Sequence, residues 1–419
     1  MFCRKKYLFP VLIIAAVVHF SCGGSEIALG PGNQANDHIS ITNDESAIGW
    51  RQIDTDVDVP VDDTGVGYAS AMGAARPAAA PSFSLKLTTE VLPPTLDGKV
   101  LQATSIAMSN NKAVVSYNMR GAEYLGGIDV FLVSNAKNVF LKSEALFNNA
   151  DVNSVTFNDG YVYTAGATGD GAFPYPAVCE VLGLLNGVNL VLEGNQRAPL
   201  TSYAGTSAVF QGSRVYATSG DNGALSVFDP DTLAMTDSFD LHDARWVDVN
   251  DGKVVVVQGT PGQISVYDEA TMILENSFPF AGANVAESKS TVQVIGGKAI
   301  IAAGNNGVQV VSLATGNVLG NVPLPDHIEL GLSPDVVVTN AVSAEGDLLF
   351  ISNGEAGVYV AQVLNTTFDQ DWGETPRTIT VLGKLRFNAL QSVNHVAYKD
   401  GLLIVDSGLG GLKVVRLSN

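Results

Sequence analysis

Three histidines beyond the first eighty residues are the first candidates for chemistry: His242, His327 and His395. Imidazole is a frequent metal ligand, and three imidazoles on a zinc ion leave an open position at which a water molecule can be activated. No short ligand spacing links the three positions. A metal site built from them requires a fold that gathers distant loops, and isolated histidines on exposed loops are the alternative.

The stretch from His242 to Trp246 is the densest cluster of polar and aromatic residues in this part of the chain. Arg245 has the planar geometry that recognises carboxylates, and Trp246 offers a face for sugars or aromatic groups. A structural role is equally open, in which Trp246 fills the inner end of its repeat and Arg245 pairs with Asp243. The cluster, with His327 and His395, is therefore a candidate ligand-binding site.

Local catalytic signatures are missing from the sequence. It contains no Walker A loop, no G-x-S-x-G elbow, no H-E-x-x-H pair and no G-x-G-x-x-G turn. An active site assembled from dispersed loop residues would leave no such signature. We expect no cofactor, and the sequence favours a binding function over catalysis.

Seven apolar runs recur along the chain, and each follows a pair of turn-forming residues rich in Asn, Asp or Gly. These residues tolerate the positive φ angles of the tight turns that join the strands of a β-hairpin. A second run, headed by Gly in six of the seven copies, follows each of them. The first runs begin at Lys112, Tyr161, Arg214, Lys253, Lys298, Asp347 and Leu402.

This spacing predicts an all-β fold. Several short strands repeated every 40 to 50 residues are typical of a β-propeller, and seven copies predict seven blades. The last copy ends at its third strand, whereas the segment 83–92 precedes the first copy without partners of its own. We expect this N-terminal strand to complete the last blade, which closes the ring and removes two exposed sheet edges. Loops at one end of the channel would then carry the candidate residues.

The last repeat contains the letters LIVD at Leu403 to Asp406, and the chain resembles the LVIVD-repeat β-propeller lipoproteins of bacteria. The resemblance covers roughly residues 100–419, although the last repeat alone carries the letters themselves. It implies a propeller of the cell envelope without a defined activity. No catalytic residue is carried over from the family.

The N-terminal 21 residues have the pattern of a lipoprotein signal peptide. Three basic residues precede an apolar run from Tyr7 to Phe20, which is too short for a comfortable membrane span, and Cys22 follows at once. Lipoproteins prefer Leu three residues before the cysteine, where this chain has His19, so secretion with ordinary cleavage is the alternative. Diacylation of Cys22 would anchor the protein stably to a membrane of the bacterial envelope, expected to be the outer membrane.

The segment 22–82 is rich in Gly, Ala, Pro and Asp and poor in strand signals, which predicts a flexible acidic tether. The spacing of Asp54, Asp56 and Asp58 resembles a calcium loop, but the sixth position is Val59 rather than Gly. A solvated linker is therefore favoured. The predicted domains are the signal peptide (1–21), the tether (22–82) and the propeller (83–419).

The formal net charge of −19 repels phosphate backbones and argues against nucleic acid as a partner. The expected partners are an unidentified envelope protein or glycan, with the membrane reached through the acyl anchor at Cys22. The sequence thus favours a lipid-anchored binding or scaffold module. The alternative is a hydrolase or lyase with a metal held at the channel mouth by His242, His327 and His395.

Overall fold

The computed structural model describes residues 32–66, 83–282, 284–285, 288–389 and 391–418. Seven antiparallel sheets are arranged in a ring, so the predicted seven-bladed β-propeller is confirmed. The expected signal peptide and Cys22 lie outside the described residues. In the described part of the chain the helices are single turns, and none of them is long and apolar enough to cross a membrane.

The blades follow one another along the chain, and each runs from an inner strand at the channel to an outer strand at the rim. Blade 1 contains Gln102–Met108, Lys112–Asn118, Gly126–Val133 and Val139–Phe147. Blade 2 contains Ala150–Phe157, Tyr161–Thr168, Ala177–Leu185 and Asn189–Pro199. Blade 3 contains Gly205–Gln211, Arg214–Ser219, Gly223–Phe228 and Met235–Leu241. Blade 4 contains Ala244–Asn250, Lys253–Gln258, Gln263–Asp268 and Leu274–Pro279.

The remaining blades have the same order. Blade 5 contains Val292–Ile295, Lys298–Ala302, Val308–Ser312 and Val318–Val322. Blade 6 contains Ala341–Glu345, Leu348–Ser352, Val358–Val363 and Ile379–Leu385. Blade 7 contains His395–Lys399, Leu402–Asp406, Leu412–Ser418 and, outermost of these four, Ser84–Val91. The other elements are the hairpin Thr95–Leu96 with Lys99–Val100, the α-helices Glu45–Ile48 and His327–Leu330, and the 3-10 turns Gly49–Arg51, Pro334–Val336 and Gly408–Gly410.

Turn chemistry and burial explain why the repeats were visible in the sequence. In blade 4 the turn residues Asp251 and Gly252 have φ angles of 54° and 73°, as a two-residue hairpin turn requires. Each blade lies between two others, so its middle strands are buried on both faces. They therefore read as continuous apolar runs, such as Lys253–Gln258, rather than as alternating patterns.

Ring closure occurs as the sequence predicted. Ser84–Val91 pairs antiparallel with the last strand of the chain, Leu412–Ser418, in a register that sets Leu412 opposite Val91. Blade 7 is thus built from both ends of the propeller domain. This pairing covers strand edges that would otherwise remain open.

The segment 34–62 is not the flexible tether that its composition predicted. This segment, which we call the belt, adds strands to three blades: Ile39–Thr42 pairs with the outer strand of blade 1, Gln52–Asp58 with blade 7, and Val61–Asp62 with blade 6. Its composition is poor in apolar residues because most of its side chains remain at the surface. Backbone pairing and a few buried anchors order it instead.

The strongest of these anchors is Arg51, whose side chain is buried. Its guanidinium donates two hydrogen bonds to Asp129 of blade 1, at 2.9 and 2.6 Å, and another to Glu144. Tyr117 also donates to Asp129, at 2.7 Å. Burial and the negative charge of Asp129 raise the pKa of Glu144 to about 7. The belt therefore supplies the cation that neutralises buried acids of blade 1.

A second anchor joins the belt to blade 2. The Nε2 atom of His38 lies 3.0 Å from a carboxylate oxygen of Glu180, whose side chain is also buried. The hydrogen bond to Glu180 raises the pKa of His38 above its ordinary value of 6.5. The belt is thereby fixed to blade 2 by a contact that is strongest when the imidazole is protonated.

The inner strands are joined around the channel by side chains. An inner strand has a hydrogen-bonded neighbour on one side, so its other backbone groups need partners elsewhere. In each of the seven blades a side chain near the channel hydrogen-bonds the backbone of the next blade. These interblade bridges are made by Thr104, Ser154, Ser207, Asp248, Gln293, Ser343 and Asn394.

Replacing Arg51 with Met should destabilise the protein by about 3–5 kcal/mol, because Asp129 and Glu144 would then remain buried without a counter-charge. The matched control is Lys142→Met. This change removes a more exposed ion pair, in which Lys142 of blade 1 contacts Glu45 of the belt. It should cost less than about 1 kcal/mol. Urea unfolding measures both values, and equal effects would contradict the anchoring role of Arg51.

The contact between His38 and Glu180 should make stability depend on pH. A folded-state pKa above the unfolded value of 6.5 gives a stabilisation that is complete below pH 6.5 and lost as the pH rises through the folded pKa. We therefore expect the difference in unfolding free energy between the wild type and His38→Gln to be larger at low than at high pH. Glu144 titrates in both proteins, so its contribution to the pH dependence cancels in this difference. A difference that does not change with pH would contradict the assignment.

Candidate functional site

The central channel contains a cavity of about 310 Å³. All seven inner strands contribute to its wall, which mixes aliphatic side chains with polar ones. Several of the polar side chains are already committed to interblade bridges, among them Asp248, Gln293 and Ser343. Trp246 of blade 4 and His395 of blade 7 also line this cavity.

Two side-chain contacts cross the channel near the starts of the inner strands. The rings of Trp246 in blade 4 and His395 in blade 7 lie with their centroids 5.6 Å apart. The Nζ atom of Lys289, just before blade 5, donates to the carbonyl oxygen of Asn153 in blade 2 at 3.3 Å. In both pairs the blades are three positions apart, the largest separation in a seven-membered ring. These contacts therefore lie across the channel.

Asp406 lies beside this crossing point on the second strand of blade 7, directly opposite His395. It is fully buried, and its Oδ1 atom accepts a hydrogen bond from the backbone N–H of Gly408 at 2.8 Å. Within the described part of the chain, its Oδ2 atom and the Nδ1 atom of His395 have no hydrogen-bond partner. We call Trp246, Lys289, His395 and Asp406 the axial cluster.

Burial controls the charges of the axial cluster. It raises the pKa of the Asp406 carboxyl, although the hydrogen bond from Gly408 and the charge of Lys289 act in the opposite direction. Burial also lowers the pKa of the Lys289 ammonium. It lowers the pKa of His395 to about 3, with a further contribution from the positive charge of Lys289. His395 is therefore neutral at physiological pH.

The chemical capacity of the cluster follows from these contacts. Lys289 has hydrogen-bond donors left after its single bond to Asn153, and Asp406 has an unfilled acceptor oxygen. A buried polar group without a partner costs free energy. A bound molecule that completes the hydrogen bonds of such groups therefore binds more favourably. The cluster can therefore bind a group that both donates and accepts hydrogen bonds.

Arg245 supports this cluster rather than facing a ligand. Its guanidinium pairs with Asp243 at 2.8 and 3.0 Å and donates to the carbonyl oxygens of Val285 and Ser288. Those carbonyls belong to the segment that leads to Lys289. The pairing with Asp243 is the structural alternative that the sequence left open, and it positions the lysine.

Gly259 is required by the same arrangement. A Cβ atom at this position would lie 1.9 Å from the Nε atom of Arg245, so any side chain there would displace the guanidinium. The sequence alone does not reveal this contact, because Gly259 reads as an ordinary turn residue after the second strand of blade 4.

The three histidines of the expected metal site have separate environments. His242 is exposed, and its Nδ1 atom lies 3.1 Å from Asp221. His327 begins a helical turn and contacts the carbonyl oxygen of Leu332 at 3.3 Å. His395 lies against Trp246. Across the described residues, no group of three or more His, Cys, Asp or Glu side chains is placed to hold a metal ion.

Of the predicted residues, the structure therefore brings Trp246 and His395 together across the channel and places Asp243 and Arg245 behind them. Lys289 and Asp406 were not predicted. Asp406 ends an otherwise apolar buried strand as its one charged residue, which is a signal the sequence did contain. Lys289 lies in a Gly- and Ala-rich connection, where nothing in its surroundings distinguishes it from a solvated lysine.

No protein-family model matches the chain, and no curated protein matches it in sequence. Among solved structures, the computationally designed Ika8 protein is similar, with a TM-score of 0.45 and 14% sequence identity. The match covers 81% of this chain and 94% of that protein. A likeness of this size supports no statement about function.

Replacing Arg245 with Met should loosen the segment that carries Lys289. Loss of the hydrogen bonds to Val285 and Ser288 should speed amide exchange in residues 288–292 at least tenfold, equivalent to about 1.4 kcal/mol. His242→Ala is the control, because His242 is exposed and should leave exchange in this segment unchanged. Unaltered exchange in the Arg245 variant would remove its positioning role.

Proposed function

We propose that this protein is a lipid-anchored β-propeller of the bacterial cell envelope that acts as a binding module for a protein or glycan. The observation that carries the proposal is the axial cluster. It combines an aromatic face, a cation and two buried polar atoms whose hydrogen bonds are not completed by the described residues. Propellers commonly bind ligands through the loops around one end of the channel.

The composition of the cluster favours a ligand rich in hydroxyl or amide groups. Such groups both donate and accept hydrogen bonds, so one of them can face the acceptor Asp406 and the donor Lys289 together. Sugars and polypeptides have this property. The buried carboxyl of Asp406 disfavours a ligand that brings a second negative charge to the same place.

The envelope location is supported by the basic and apolar stretch before Cys22 and by the resemblance of the repeats to LVIVD-repeat lipoproteins. The belt adds a constraint on the geometry of attachment. Nine residues lie between Cys22 and Gly32, the first described residue, and the ten Cα–Cα steps that join these two positions can span at most about 35 Å. A chain anchored at Cys22 would therefore hold the rim near blades 1 and 2 close to the membrane.

The alternative of a metal-dependent hydrolase or lyase rested on His242, His327 and His395 acting together. Their separate environments remove the reason for grouping them. In the part of the chain that the structure describes, no other observation favours metal chemistry. The binding module is therefore the function we propose.

The anchor can be tested through Cys22→Ser. We expect the wild type to incorporate labelled fatty acid and to sediment with membranes, whereas the variant should do neither. The variant protein should still fold, because Cys22 precedes the belt. If the wild type is released in soluble form without acyl chains, the lipoprotein proposal is wrong and ordinary secretion applies.

Ligand binding can be tested with purified envelope glycans and outer-membrane proteins as defined probes. A genuine ligand should bind the wild type and lose at least tenfold in affinity with Lys289→Met and with Trp246→Leu. The control variant Lys142→Met, on the outer strand of blade 1, should bind like the wild type. A ligand whose affinity is unchanged in both cluster variants would place the binding surface outside the axial cluster.

A further inference from the structure

Lys289 differs from other lysines near acidic side chains of this protein. Lys413 lies 2.9 Å from Glu90, and Lys253 lies 2.7 Å from Glu275, so these ammonium groups are neutralised by ion pairs. For Lys289, no carboxylate of the described residues lies within ion-pair distance, and its single hydrogen bond goes to the backbone of Asn153. The amine is therefore held in the channel without a counter-ion in contact.

The surroundings of this amine are those of a reactive group. Asp406 is near enough to Lys289 for their charges to interact, and its Oδ2 atom is buried without a partner among the described side chains. His395 presents an unpartnered ring nitrogen at the same crossing point. Lys289 itself remains partly exposed. An amine without a counter-ion in contact, a carboxyl oxygen without a partner and a lysine that is not fully enclosed therefore occur together at the crossing point.

We propose that Lys289 is a carbonyl-binding residue, whose amine forms a reversible imine with an aldehyde or ketone group of a ligand at the channel mouth. The inference rests on the ligand site proposed above and specifies the chemistry of that site. Reducing sugars and small oxo compounds both carry this group.

The reaction balances without an oxidant or reductant. The nitrogen lone pair of Lys289 attacks the carbonyl carbon, and a proton moves from nitrogen to the former carbonyl oxygen to give a carbinolamine. The carbon–oxygen bond then breaks as Asp406 in its acid form donates a proton to the leaving hydroxyl, which departs as water. The resulting iminium returns its nitrogen proton to Asp406, so the products are an imine and one water.

The environment favours this chemistry over simple ion pairing with an anion. Burial lowers the pKa of Lys289 and so increases the fraction of the nucleophilic free amine. Burial raises the pKa of Asp406, so that the acid form which donates the proton persists to higher pH. A carboxylate ligand would instead bring a negative charge to the place where burial already disfavours the charged form of Asp406.

The protein contains an internal control for the effect of pKa alone. Burial also lowers the pKa of Lys298, to about 8. This lysine is 1% exposed, donates to the carbonyl oxygens of Gly296 and Gln370, and lies over the ring of Trp372. Like Lys289, it therefore has a lowered pKa, but its side chain is too buried for a small molecule to reach it.

The test uses the full-length protein with glycolaldehyde or glyoxylate as the probe and cyanoborohydride to trap the imine, followed by peptide mass spectrometry. We expect Lys289 to be labelled at least ten times faster than Lys137, a lysine that is partly exposed like Lys289, while the buried Lys298 remains unlabelled. The neutral probe should react faster than the anionic one. Labelling of Lys289 no faster than that of Lys137 would overturn the proposal.

Two variants examine the mechanism. Asp406→Asn keeps the shape of the side chain and should slow labelling of Lys289 at least tenfold. Lys142→Met, on the outer strand of blade 1, should leave the rate unchanged. Should Asp406→Asn fail to fold, the comparison of Lys289 with Lys137 in the wild type still decides the proposal. Slow labelling of Lys289 in a protein that binds glycans through the axial cluster would refute the imine alone, whereas loss of both would refute the site.

Discussion

The structure depends on how the inner edge of each blade is satisfied. A blade cannot extend its backbone pairing across the channel, so the inner strand of each sheet leaves polar groups that water or side chains must bond. Here seven side chains, from Thr104 in blade 1 to Asn394 beside blade 7, each form a hydrogen bond with the backbone of the next blade. The ring is therefore continuous at its centre as well as at its rim, and the channel wall has few polar groups left for a ligand.

That constraint explains where the candidate site lies. Some polar groups near the channel form no hydrogen bond between neighbouring blades. They include Lys289, His395 and the second oxygen of Asp406, which lie near the point where two contacts cross the channel. Trp246 supplies the aromatic surface against which His395 lies. The neighbouring residue in blade 4 is Arg245. Its guanidinium donates hydrogen bonds to backbone carbonyl oxygens of the segment before Lys289. Support by Arg245 and the recognition proposed for Trp246 are thus divided between adjacent residues.

The fold could be predicted from the sequence because its signals are local. Pairs such as Asp251-Gly252 specify hairpin turns, and the buried middle strands are continuous apolar runs. The belt could not be predicted in this way, because acidic strands such as Gln52–Asp58 resemble linker and are ordered by distant partners. At the site, Trp246 and His395 stood out by residue type. The importance of Lys289 depends on its hydrogen bond to blade 2 and on its electrostatic interaction with Asp406 of blade 7, which no spacing along the chain reveals.

The assembly of blade 7 has a consequence for the order of folding. Its strand Ser84–Val91 is synthesised before any other part of the propeller, whereas its partner Leu412–Ser418 is synthesised last. The belt strand Val61–Asp62 likewise cannot pair with Ile379–Leu385 until that strand has been synthesised. Contacts this distant along the chain form slowly, because the intervening loop must close before they contribute. The belt strand Gln52–Asp58 can pair with one edge of Ser84–Val91 as soon as both are made, but the other edge stays open until Leu412–Ser418 emerges. Closure of the ring is therefore a late event in folding.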